Sequence, residues 1–235
     1  MHTDKTSAPT ILFIGDSITD AGRRERNGPL GNGYVALVAD MLKLQASTAG
    51  LRVINRGISG NTNEDLRSRW SDHVICEAPD WLVIKIGIND CNRYVCDPSK
   101  ELQSPQQYAR IYDQILTQTR EALPNTKILI LSPFFISKDS NIPDAYRARV
   151  RAALKEYITH AEKAAETHGA HYFDLQEKFE QLLEHMRPGE LADDGVHPNR
   201  TGTLFIAQEV FGALCKVLGN EILSNKTSPV SSLKE

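Results

Sequence analysis

Cysteine is sparse in this chain and follows no pattern: 235 residues hold four, Cys76, Cys91, Cys96 and Cys215, with no C-x-x-C spacing. A chain of this length can bury a core without covalent staples, so the four are expected to be reduced thiols, although Cys91 and Cys96 could pair in an oxidising setting. No second pair of cysteines or histidines stands at ligand spacing, which argues against zinc; neither a metal nor a cofactor is expected. Charge of one sign is lacking too. The formal net charge is -3 and the sequence pI is near 6.2, so there is no basic stripe for nucleic acid and no polybasic patch for a membrane. Long apolar runs are missing as well: none approaches a membrane span, and Met1 to Thr10 is polar, without the apolar core of a secretory signal. These absences lead to the expectation of a soluble, cytoplasmic protein, unless a leader has been removed. Its partners would be small or neutral molecules rather than nucleic acid or membrane. A homo-oligomer could close a surface crevice, but no sequence pattern establishes one.

What the chain does have is alternation. Ile11–Gly15, Leu51–Asn55, Trp81–Gly87, Lys127–Pro133 and His171–Leu175 are short apolar runs bounded by turn residues, and they predict five buried strands. Between and after them, helical periodicity runs over Tyr34–Leu44, Glu64–Ile75, Pro105–Leu123, Asp144–Thr167, Leu175–His185 and Thr201–Leu218. Nearly continuous apolar strands separated by helices imply an α/β protein with a mostly parallel sheet covered on both faces. No linker or internal repeat interrupts this pattern. Residues 1–219 are therefore expected to form one domain, and 220–235, rich in Ser, Lys and Pro, a frayed tail.

The first strand runs straight into a turn that carries Ser17, an exposed and rigidly held hydroxyl at a strand tip, where ligands bind in open parallel sheets. Gly57 and Gly60 follow the second strand, and Gly87, Asn89 and Asp90 follow the third, all at the same sheet edge. Any one of these is ordinary turn chemistry; their convergence on a serine is a stronger signal. Far downstream, Asp194 precedes His197 by three residues, so a carboxylate can hold one imidazole nitrogen while the other faces a hydroxyl. The remaining histidines lack that context: His73, His160, His168 and His185 lie in or beside helices, His2 lies in the polar start, and His171 opens a strand. Acyl transfer also needs donors for the oxygen that becomes negative. The amides of Ser17 and Gly60 and the side chain of Asn89 are suitable, and glycine at 60 would let the main chain approach a substrate closely.

The blocks GDS at 15–17, NRGISGNT at 55–62, GIND at 87–90 and DGVHP at 194–198 together resemble the SGNH, or GDSL, hydrolases over nearly the whole chain. That resemblance implies a three-layer α/β/α sandwich of the flavodoxin-like kind. It also implies Ser17 as nucleophile, His197 as general base, Asp194 as its orienter, and an oxyanion hole from Ser17, Gly60 and Asn89. The longer strings GDSITD, GNGYV and DLRSRW, at 15–20, 31–35 and 65–70, are similar to bacterial carbohydrate esterases that include acetylxylan esterases. The implied activity is removal of acetyl groups from esterified saccharides such as xylo-oligosaccharides. A short-chain thioesterase or lipid esterase would use the same groups, and a noncatalytic carbohydrate-binding module is a reading from another class. Such esterases are expected to carry tryptophan near Asn92 and Asp193, where this chain is polar, a departure that bears on the sugar more than on the ester. Tyr94, Phe134 and Phe135 could wall the pocket or pack in the core, and Arg93 could bind a substrate hydroxyl or remain a solvated charge. Asp16 and Asp90 border the site and could simply fix their turns. The loops Cys91–Ser104 and Ser137–Pro143 are expected to form its rim.

Overall fold

A computed structural model describes residues 8–25, 27–45, 51–139 and 145–218. The expected tail at 220–235 and residues 140–143 of the second rim loop lie outside the described residues. Five strands, β1 (Thr10–Gly15), β2 (Arg52–Asn55), β3 (Trp81–Lys85), β4 (Lys127–Leu131) and β5 (His171–Phe173), form one sheet in the order β2-β1-β3-β4-β5. All four pairings are parallel. Every residue of β1 and β3 is buried, which is why both read as unbroken apolar runs rather than as alternating ones.

Eight helices complete the layers among the described residues: α1 (Ser17–Asp20), α2 (Tyr34–Gln45), α3 (Asn63–Ser68), α4 (Ile88–Cys96), α5 (Pro105–Ala122), α6 (Tyr146–Thr167), α7 (Leu175–Leu183) and α8 (Arg200–Leu218). The helix pairs α2 with α8 and α5 with α6 pack closely, and α3 and α4 join the α5–α6 group. The chain steps from β1 to β2 in one direction and from β3 to β5 in the other. Because parallel crossovers are right-handed, that reversal sends α2 and the crossover helices α3 to α6 to opposite faces, and α8, after β5, returns to the face of α2. The outcome is the α/β/α sandwich expected. Local chemistry starts the helices. Ser104 accepts from the Gln107 amide ahead of Pro105, and Asp174 accepts from the Glu177 amide. In α5 the buried residues Tyr108, Ile111, Tyr112, Ile115, Leu116 and Thr119 form one stripe against the sheet.

Two local expectations need correction. The helix expected over Glu64–Ile75 ends at Ser68 and resumes as a single π-helical turn at Ser71–Ile75. Arg69 at the break donates to the carbonyls of Gly15 and Arg56 and to the Asn61 side chain. Those long-range contacts outweigh helical continuity. The start of the Cys91–Ser104 loop is helical, as part of α4, with Ile88, Cys91 and Val95 facing inward. Of the two readings open for Phe134 and Phe135, core packing is the one observed, with the side chains 0% and 1% exposed. No helix among the described residues is long and apolar enough to cross a membrane, and all four cysteines are free.

Candidate active site

In the order β2-β1-β3-β4-β5, the chain reverses direction between β1 and β3, and the crevice beyond their carboxyl ends is where such sheets bind ligands. Ser17 follows β1 at that point, Asn89 follows β3, and Gly60 follows β2. Asp16 caps α1, accepting from the Ile18 amide at 3.0 Å, and this turns the chain sharply so that Ser17 sits at the first helical position.

Asp194, Gly195, Val196 and His197 are folded by their own carboxylate. Asp194 Oδ1 accepts from the amides of Val196 and His197 at 2.8 and 2.7 Å. Gly195 has φ +83°, and a β-carbon there would press on Phe135. A bridge between Ala192 and Pro198 closes the base of the turn. The other carboxylate oxygen, Oδ2, is 2.6 Å from His197 Nδ1, and His197 Nε2 is 3.0 Å from Ser17 Oγ. Burial would raise the Asp194 pKa, but hydrogen bonds from the His197 ring and from the His197 and Val196 amides hold it below the usual carboxylate range. An ionised carboxylate only accepts, so Nδ1 carries the ring proton and Nε2 is left to accept from Ser17.

The N–H groups of Ser17 and Gly60 have no hydrogen-bond partner among the described residues. Asn89 Nδ2 donates one proton to the Asn61 carbonyl at 2.9 Å and keeps a second. Gly60 is needed for its backbone angle, φ +79°, whereas a β-carbon there would meet no protein atom within 4 Å. Gly57 is the residue required by close approach: a β-carbon would fall 2.2 Å from the Asp20 amide, where α1 lies across it. Arg93 is exposed, and its Nη2 donates to the Gly60 carbonyl at 2.8 Å. Asp90 is fully buried and accepts from the Asn63 amide, and burial pushes its carboxyl up to about 7.

A cavity of about 580 Å³ opens beside Ser17 and His197. Its walls come from the segment before and into α2, with Asn32, Tyr34 and Leu37, and from the start of α8, with Asn199, Arg200 and Leu204. The described parts of the two loops expected as its rim do not line it.

One feature of the site left no trace in the motif pattern. The register pairs Gly15 with Lys85, which brings Lys85 Nζ to 3.1 Å from Asp16 Oδ2 with both side chains at most 1% exposed. Phe134 covers the ammonium, its ring centre 4.6 Å away. Burial lowers the Lys85 pKa, opposed by Asp16. Removing one member of such a pair strands the other charge, at a cost of about 3–5 kcal/mol, against a total stability of about 5–15 kcal/mol. Lys85→Met is therefore expected to lower the urea midpoint markedly, and Asp16→Asn added to it to recover most of the loss. A Lys85→Met midpoint equal to that of the unaltered protein would contradict this.

This open α/β sheet with a serine, an imidazole and a carboxylate in line at its switch point is the architecture of the SGNH hydrolases. The chain belongs to the GDSL-like Lipase/Acylhydrolase family, whose sequence pattern matches residues 13–203. An acetylxylan esterase of Geobacillus stearothermophilus is 36% identical over 209 residues, spanning 86% of this chain and 92% of that one. A crystal structure of a catalytic mutant of an acetylxylan esterase from the same organism superposes with a TM-score of 0.79 at 33% identity, over 89% of this chain and 95% of that one. The thioesterase 1/protease 1/lysophospholipase L1 of Escherichia coli K12 is 26% identical over 201 residues, 86% of this chain and 81% of that one. The protein is a carboxylic ester hydrolase.

Proposed function

We propose that the chain removes acetyl groups from O-acetylated saccharides, xylo-oligosaccharides among them, through an acyl-enzyme on Ser17. The observation that carries this reading is the line of contacts from Ser17 Oγ to His197 Nε2 at 3.0 Å and from His197 Nδ1 to Asp194 Oδ2 at 2.6 Å. His197 takes the Ser17 proton as Oγ bonds to the ester carbonyl carbon. The carbonyl oxygen becomes negative among the Ser17 amide, the Gly60 amide and Asn89 Nδ2. The carbon–oxygen bond to the alcohol then breaks, and His197 returns the proton to the leaving alcohol. Water repeats the sequence on acyl-Ser17 and releases acetate.

The cavity supports a large alcohol. Ser17 and His197 are on its wall, but Gly60 and Asn89 are not. With the carbonyl oxygen pointing toward those donors, the side open to the imidazole receives the leaving alcohol. About 580 Å³ lies within the range of pockets for organic ligands, and Asn32 and Arg200 offer polar groups to hydroxyls. The 36% identical acetylxylan esterase of Geobacillus stearothermophilus points the same way. Leu37 and Leu204 in that wall, with the Escherichia coli relative, favour a second reading, a short-chain thioesterase or lipid esterase.

Acetate release from acetylated xylo-oligosaccharides, compared with turnover of 4-nitrophenyl acetate and octanoate, separates the two. Sugar deacetylation with poor octanoate turnover is expected. Fast octanoate or acyl-thioester turnover without acetate from the sugar would replace the saccharide with the second reading.

A further inference from the structure

Two oxyanion donors on different segments must point at one oxygen, and the turn that carries Gly60 is hydrogen-bonded to the helix that carries Ser17. The Asn61 amide donates to the Ile58 carbonyl at 3.2 Å, closing a four-residue turn. Gly60 in its third position has φ +79°, whereas Ser59 is not among the positive-φ residues. This is the pattern of a type II turn. In that turn the central peptide, Ser59–Gly60, is the one that supplies the Gly60 N–H.

A type II turn becomes a type I turn by rotation of that one peptide. Type I needs a negative φ at the third position, which glycine adopts as readily as a positive one. The flip would turn the Ser59 carbonyl toward the place where the Gly60 N–H had pointed, so a donor would be replaced by an acceptor. Holding the turn in one form therefore falls to its surroundings. The Ile58 amide is fixed by the Gly15 carbonyl at 3.0 Å, and the Gly60 carbonyl by Arg93. Ser59 is held by Asp20 alone among the described residues: Oδ2 accepts from its amide at 2.9 Å and from its hydroxyl at 3.1 Å.

Asp20 ends α1, the helix that Ser17 begins, and is 2% exposed. Burial would raise its pKa, but the bonds from Ser59 and Arg24 hold it below the usual carboxylate range. We propose that Asp20 is a positioning residue for ester hydrolysis, fastening the Ser59–Gly60 peptide to the helix that carries Ser17 so that both amides face one oxyanion. The proposal rests on the reading of Ser17 and Gly60 given above.

The experiment measures kcat, KM and the titre of reactive serine with an aryl organophosphonate for the unaltered protein, Asp20→Asn, Asp20→Ala, Ser59→Ala, Arg24→Ala and Ser17→Ala, on 4-nitrophenyl acetate. Loss of one oxyanion donor costs about 10²–10³ in kcat. Asp20→Ala is expected to lose about 10²-fold in kcat per titrated serine with KM changed less than about threefold. Asp20→Asn, which keeps an acceptor oxygen, should fall between it and the unaltered protein. Ser59→Ala loses the hydroxyl bond alone from an exposed position and should lose a few-fold, which keeps the test decisive if the Asp20 variants fold poorly. Arg24→Ala, which removes the other partner of Asp20, should leave kcat unchanged. Unchanged kcat per titrated serine in Asp20→Ala and Ser59→Ala, with Ser17→Ala inactive, would overturn the proposal and leave the nucleophile standing. An active Ser17→Ala would overturn the reading beneath it.

Discussion

Ser17→Ala is expected to abolish ester hydrolysis to within a residue of about 10⁻⁴ to 10⁻⁶ of the original kcat while the protein melts at the same temperature. The expectation of a clean loss comes from what the side chain touches. Ser17 Oγ has one hydrogen-bond partner among the described residues, His197 Nε2. The sharp turn that presents it is built by Asp16 capping Ile18 and by Lys85 behind Asp16, none of which needs the hydroxyl. Alanine at 17 keeps its amide, so the donor at that position survives, and the remnant of activity reflects donors acting on water as the attacking group. The measurement is acetate release and 4-nitrophenyl acetate turnover beside a thermal melt. Retention of more than a few per cent of activity would place the nucleophile elsewhere, and an equal fall in melting temperature would mean that the serine holds the turn.

The sheet was legible because its strands are buried on both faces. A parallel strand such as Trp81–Lys85 is apolar at every position but its last, so it stands out without any alternation. Boundaries were less legible where side chains intervene. The fifth strand stops at Phe173 because Asp174 turns outward to cap α7. The α3 helix stops because Arg69 is drawn to Gly15, Arg56 and Asn61, contacts that periodicity cannot register. The α4 helix has no legible apolar stripe because its polar residues outnumber the inward Ile88, Cys91 and Val95. At the site, residues whose partners lie within a few positions were readable: Asp194 and His197 sit on one turn, and Ser17 sits beside its capping aspartate. The contacts of Lys85, Asp20 and Arg93 were not, because each joins separate segments: Lys85 meets Asp16, Asp20 accepts from Ser59, and Arg93 donates to the Gly60 carbonyl. The strand pairing of Gly15 with Lys85, or the seating of α1 on Gly57, brings together residues tens of positions apart. The only trace of Lys85 in the sequence was a charge at the inner end of an apolar run.

Asp194→Asn is expected to cost about 10⁴-fold in kcat with little change in stability, and the surroundings of the carboxylate say why the isosteric amide fails. Oδ1 accepts from two backbone amides, Val196 at 2.8 Å and His197 at 2.7 Å. An asparagine at 194 must keep its carbonyl oxygen there, or two amides of the turn would face an NH₂ group. Its Nδ2 is thereby forced into the place of Oδ2, opposite His197 Nδ1. A donor facing Nδ1 makes that nitrogen the acceptor, so the ring proton moves to Nε2 and points at Ser17 Oγ. The imidazole is then still in place, still neutral, and unable to take the serine proton. Asp194→Ala loses the two backbone contacts and should be the less stable protein, yet it leaves the tautomer free. The asparagine variant is thus expected to be the better folded of the two without being the more active. Paired measurements of kcat on 4-nitrophenyl acetate and of melting temperature test this ordering. An asparagine variant within about tenfold of the unaltered kcat would mean that the carboxylate merely shapes the turn, and that the base at His197 needs no partner to hold its proton in place.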